Sequence, residues 1–161
     1  MRVRRRTNVV LMAKLKDQLH ADLNTAMKAR DELTLATLRM LLTAVTTEEV
    51  AGKAARELSD DEVLKVVAKE AKKRKEAAEA FDAANRPELA DRERAEGAVL
   101  QAYLPAQLSD AELTELVAAA VAESGASSGQ QMGAVMKLVQ PRAAGRADGK
   151  RISDEVRRQL A

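Results

Sequence analysis

The amino-acid sequence predicts an all-α fold, an N-terminal bundle of about four long helices followed by a compact three-helix C-terminal module. Three observations carry this. Alanine supplies 32 of the 161 residues, and Leu, Glu, Lys and Arg make up much of the rest, which is helix-forming composition. Apolar residues recur at three- and four-residue spacing, and no segment alternates with strand period. Ser59-Asp-Asp-Glu62 and Ser109-Asp-Ala-Glu112 both have the capping-box pattern, in which the Ser hydroxyl and the Glu carboxylate answer each other's backbone N–H groups.

The first helix is expected from near Met12 to Ala29, with Leu15, Leu19, Leu23, Ala26 and Met27 on its apolar face. A second runs from Asp31 to about Val50 through Leu38, Leu41, Leu42 and Val45, with Gly52 as its terminator. Ser59 opens the third, whose stripe is Val63, Val66, Val67, Ala71, Ala78 and Phe81. Asn85-Arg86-Pro87 breaks it, and Pro87 suits the first turn of a fourth helix reaching Tyr103, patterned by Leu89, Val99, Leu100 and Tyr103.

Leu104 to Leu108 reads as a joint, because Pro105 disfavours helical geometry at Leu104. Helices are then expected over Ser109–Ser124, Ser128–Gln140 and about Lys150–Leu160. Their faces are Leu113, Leu116, Val117 and Val121; Met132, Val135, Met136 and Val139; and Ile152, Val156 and Leu160. Gly125 and the stretch Gln140–Gly149 supply the turns, and Gly133 permits a close helix crossing. The domains are therefore residues 12–103 and 109–161, preceded by a basic leader over residues 1–11. The second should fold independently, although its roughly 53 residues make it marginal.

Composition excludes several chemistries. Cysteine is absent, which removes disulfides, thiolate metal sites and cysteine nucleophiles. His20 is the single histidine, so neither a Ser-His-Asp triad nor a histidine-based zinc site can form within one chain; it reads as an ordinary helix residue. Phe81 and Tyr103 are the only aromatics, which argues against base stacking on aromatic rings. Formal net charge is +2, but four arginines lie in the first six residues, and without them 23 bases face 25 acids. The body is nearly neutral, which disfavours a generally basic nucleic-acid coat. The leader is either a basic arm or translated sequence upstream of a start at Met12, and the second is favoured. No apolar run approaches the roughly 20 residues of a membrane helix. A cytoplasmic setting is expected.

The remaining motifs have structural explanations of their own. Ser127-Ser128-Gly129 reads as a helix N-cap. Gly145-Arg-Ala-Asp-Gly149 lacks the ending of a phosphate loop and has no strand before it. Lys72-Lys73-Arg74-Lys75 points around a helix and reads as a solvated face, with Arg74 either lying over the core edge or serving a partner interface. The charge is split in the last module. Asp110 to Glu123 contains four acids and no base, whereas Lys137 to Ala161 contains seven bases and three acids. Lys137, Arg142, Arg146, Lys150 and Arg151 flank or lie in the glycine-containing turn, and they are the candidate RNA-binding residues. No catalytic residue, cofactor or metal site is expected.

Several stretches carry a resemblance. They include Leu38-Arg39-Met40, Arg74-Lys75-Glu76, the run from Phe81 to Ala90, Tyr103-Leu-Pro-Ala-Gln-Leu-Ser109, Gly133-Ala-Val-Met136 and Gly145-Arg-Ala-Asp-Gly149. In this order and spacing, from about Met12 onward, the chain resembles YqeY-like proteins, which carry the GatB/YqeY motif. That family is similar to the C-terminal helical and tail regions of the B subunit of tRNA-dependent amidotransferases. The resemblance implies association with carbon–nitrogen ligase activity using glutamine as amido-N-donor, and tRNA recognition by the tail module. The amidase and nucleotide-binding parts of such enzymes have no counterpart here. The first expectation is thus an accessory protein that binds tRNA or another structured RNA through its C-terminal module. The alternatives are a protein-interaction adaptor that docks a partner on the long N-terminal helices, without RNA, and a non-catalytic component of the ligase. No membrane partner is expected.

Overall fold

The computed structural model describes residues 14–161, and the basic leader lies outside the described residues. Seven α-helices are present there and no strand: α1 Lys14–Lys28, α2 Glu32–Glu49, α3 Asp60–Ala83, α4 Pro87–Gln101, α5 Asp110–Ser124, α6 Met132–Ala143 and α7 Gly149–Gln159. A short 3-10 turn, Gly129–Gln131, leads into α6. The chain is all-α. It divides into two compact units, the first ending at Leu104 and the second running from Pro105 to Ala161.

In the first unit, Leu19, Leu38, Leu41, Val45, Val63, Val67 and Leu100 are buried to within 1% of full occlusion and form one core. Both capping-box bonds form at Ser59, whose hydroxyl accepts from the Glu62 N–H while the Glu62 carboxylate accepts from the Ser59 N–H. Asp31 caps α2 by accepting from the Thr34 N–H at 3.1 Å. Met27 departs from its expected place on the apolar face and is 49% exposed. It lies about 100° around α1 from buried Ala26, beyond the stripe. α2 ends at Glu49 with Val50 as C-cap at φ −107°, so Gly52 does not terminate it. Tertiary bonds stop the helix instead: the Glu49 carbonyl accepts from the Arg56 N–H, and its carboxylate accepts from Lys16 Nζ and the Leu58 N–H.

α3 and α4 form a long antiparallel hairpin. Asn85 takes a left-handed φ of 58°, which a short polar side chain tolerates, and the Arg86 N–H closes onto the Phe81 carbonyl at 2.8 Å. Only Leu100 of the four residues expected to pattern α4 is fully buried; Ala90, which the pattern missed, is 0% exposed. Small size lets Ala90 disappear in the narrow helix–helix seam. Gly97 lies in the same seam, where an added Cβ would stand 3.5 Å from the Arg74 Cβ.

In the second unit, Leu113, Val117, Ala120, Val135, Val139, Ala143, Ile152 and Val156 close a three-helix core. The Ser109 capping box forms as expected, and Gly125 ends α5 with φ 69°. Two expectations are corrected. α6 continues through Pro141 to Ala143 rather than stopping at Gln140, because Val139 and Ala143 on its buried face hold the last turn in place. Pro141 itself is exposed and stands in the last turn, so its missing N–H interrupts only the end of the helix. Gly133 is exposed with open space around its Cα, so it serves no helix crossing.

Candidate nucleic-acid interface

The five cations singled out from the sequence all belong to the second unit. Lys137 and Arg142 are exposed on α6, about 140° apart around the helix, Arg146 lies in the α6–α7 connection, and Lys150 and Arg151 lie in the first turn of α7. The connection turns sharply through two left-handed residues, Ala144 at φ 48° and Gly145 at φ 76°. Gly145 meets this geometry without strain, whereas Ala144 carries it as the C-cap of α6. Asp148, the single acid between Arg142 and Arg151, caps α7 by accepting from the Arg151 N–H at 2.8 Å. Its charge is thereby directed into the helix terminus.

The five side chains have different occupations. Lys137 and Lys150 are exposed and, among the described residues, make no ion pair. Arg142 pairs with Glu123 of α5, both residues being well exposed. Arg146 Nε donates to the Ala106 carbonyl at 2.8 Å, and the Arg146 carbonyl accepts from the Leu108 N–H at 2.7 Å. Arg151 Nη2 donates to the Leu108 carbonyl at 2.9 Å and to Asp110 at 3.0 Å. The segment before α5 is therefore clasped along the α6–α7 connection, with Leu108 and Ala147 buried beneath it. Two of the stretches that carried the family resemblance, one ending at Ser109 and the other spanning Gly145 to Gly149, meet in this clasp.

Sequence reasoning missed the acceptors of the clasp because they are backbone carbonyls, which leave no residue-type signal. The counter-ions Glu123 and Asp110 were signalled by the split between acidic α5 and the basic stretch after it. Nearby electrostatics follow the same division. Glu112 is held below its ordinary carboxylate value, chiefly by the Ser109 N–H and also by the Arg146 charge. Glu155 is lowered to about 2, first by its bond from Arg158.

Serines 127 and 128 do not cap with their hydroxyls. The Ser127 N–H instead donates to Gln131 Oε1 at 2.7 Å, because the 3-10 turn brings that side chain back over the loop. His20 is exposed. Among the described residues no group of three His, Cys, Asp or Glu is placed to hold a metal, and no helix is long and apolar enough to cross a membrane.

In the first unit the Lys72–Lys75 run separates by role. Lys72 and Lys73 pair with Glu76 and Glu70 on their own helix, and Lys75 is exposed. Arg74 turns inward, 19% exposed, against Glu70 and against Glu93 and Glu96 of α4. Its Nε is buried without a hydrogen-bond partner. Arg74 thus lies at the edge of the α3–α4 seam with its charge met by acids of its own unit. Beside it the α3–α4 seam opens into a shallow groove of about 390 Å³ lined by Ala71, Lys75, Ala78, Glu79 and Arg94 among others.

A family model for Yqey-like protein matches residues 16–160. The chain belongs to the YqeY-like family. It is also 32% identical over 104 residues to "Uncharacterized protein C22F3.15" of Schizosaccharomyces pombe, a match covering 64% of this chain and 82% of that protein. In this YqeY-like chain the family match takes in both units, the α3–α4 hairpin and the basic turn included.

Proposed function

We propose that this YqeY-like protein is an accessory protein that binds tRNA or another structured RNA through the basic turn of its second unit, formed by Lys137, Arg142, Arg146, Lys150 and Arg151. The observation that carries the reading is the balance of charge at this turn: four cations between Arg142 and Arg151 face one acid, and that acid is spent on a helix cap. Phosphate oxygens are suitable partners for exposed Lys and Arg, and such contacts position a backbone without reading bases. The Arg142–Glu123 pair does not oppose this, since exposed ion pairs are worth at most about 1 kcal/mol and exchange readily for a phosphate. A tRNA titration across salt concentrations tests the reading. Replacing Lys137, Arg142 and Lys150 together by Gln leaves the clasp intact, and should lower the log-affinity versus log-salt slope by about 2 to 3. Replacing Lys72, Lys73 and Lys75 serves as the control. A parent protein that binds neither tRNA nor a structured RNA hairpin, or a control that loses binding while the triple variant keeps it, rejects the proposal.

The adaptor reading attaches to a different place, the α3–α4 groove, where Lys75 and Glu79 line the rim and, among the described residues, make no ion pair. It takes over if the parent protein binds no RNA.

A further inference from the structure

We propose that the five cations divide by role: Lys137, Arg142 and Lys150 contact phosphate, whereas Arg146 and Arg151 are positioning residues that hold the turn in its binding shape. The division rests on the RNA reading above and refines the site that reading uses. It comes from what each side chain already does. Among the described residues Lys137 and Lys150 have no side-chain partner, and Arg142 has only an exposed carboxylate, so all three can turn to a ligand at little cost.

Arg146 and Arg151 answer the main chain instead. Arg146 Nε and Arg151 Nη2 donate to the carbonyls of Ala106 and Leu108, at 2.8 and 2.9 Å. The Leu108 N–H returns a bond to the Arg146 carbonyl, and Leu108 is only 6% exposed beneath it. Withdrawing the Arg151 guanidinium to meet a phosphate would strip the part-buried Leu108 carbonyl of a charged donor, which is costlier than exchanging one exposed anion for another; the Arg146 bond to Ala106 is exposed, and it ties the connection to the segment before α5. The clasp also controls the separation of the contact residues. Arg142 lies in the last turn of α6 and Lys150 in the first turn of α7, and the intervening connection contains two left-handed residues with Arg146 as its outside tether.

Affinity and salt slope separate these roles. The slope counts neutralised phosphates, whereas apparent affinity is scaled by the fraction of molecules in the competent shape. Lys at position 146 or 151 preserves the charge but not the planar guanidinium that reaches the carbonyl. Arg146→Lys and Arg151→Lys are expected to weaken tRNA binding about three- to tenfold with an unchanged slope, as an opened turn lowers the competent fraction. Lys150→Gln is expected to lower the slope by about 0.7 to 0.9. Hydrogen exchange at the Leu108 amide, measured without RNA, should speed up in the two Lys variants and stay at the parent rate in Lys150→Gln. Titrations are run well below the melting temperature with helical circular dichroism matched, so that global stability does not enter.

Retention of parental affinity by both Lys variants, with faster Leu108 exchange, would show that the clasp does not position the site and overturn the division. A reduced slope in either Lys variant would overturn it too, by showing a lost phosphate contact. Absence of binding by the parent protein rejects the RNA reading, and the division falls with it.

Discussion

Replacing Arg74 by Met should destabilise the first unit by about 2–4 kcal/mol. The guanidinium stands 3.4 Å from Glu70, 3.4 Å from Glu93 and 3.5 Å from Glu96, and those side chains are only 8%, 18% and 14% exposed. Methionine keeps the apolar stem beside Gly97 but leaves three carboxylates facing one another. Removing one partner of a buried pair costs about 3–5 kcal/mol. Two features reduce that figure here. The contacts are longer than the roughly 2.7–2.9 Å of strong charge-assisted bonds, and Lys73 and Arg92 still pair with Glu70 and Glu96 after the change. Tyr103 is the single tyrosine in a chain without tryptophan, and it lies in this unit. Its fluorescence during urea unfolding therefore reports on the first unit alone. Glu93→Gln with Glu96→Gln should recover part of the loss in the Arg74→Met background, because fewer negative charges are then left unmatched. A loss below about 0.5 kcal/mol, or a cycle additive within that margin, would refute the account of Arg74 as the shared counter-charge.

Two pH experiments address the two units separately. Burial, then the hydrogen bond to Asp22, raises the Tyr103 phenol above its ordinary value near 10, so its contribution is present below that pH and is lost as the solution becomes more alkaline. Phenolate absorbance should rise together with loss of helical circular dichroism; ionisation near pH 10 with the helices intact would contradict this. Glu155 is lowered from about 4.5 to about 2 by Arg158, so its contribution is present above the ordinary carboxylate value and disappears as pH falls toward 2. The melting-temperature difference between Glu155→Gln and the parent should shrink over that interval, and a constant offset would exclude the linkage.

By itself the sequence determined the helical class, the caps at Ser59 and Ser109, the break at Asn85-Arg86-Pro87 and most core positions. These depend on local backbone chemistry and on a 3.6-residue period, both of which are written along the chain. Tertiary structure decided what the period leaves open. Glu49 and its bonds to Lys16, Arg56 and Leu58 end α2 where a glycine was expected to, and the buried face of α6 carries the helix past Pro141. Arg74 sits on the stripe of α3, but α4 supplies two of its three carboxylates from about twenty residues away. The basic turn shows the difference most plainly. Its five cations were visible as residue types, while the occupations of Arg146 and Arg151 depend on carbonyls about 40 residues distant, brought close only when the second unit closes around Leu108.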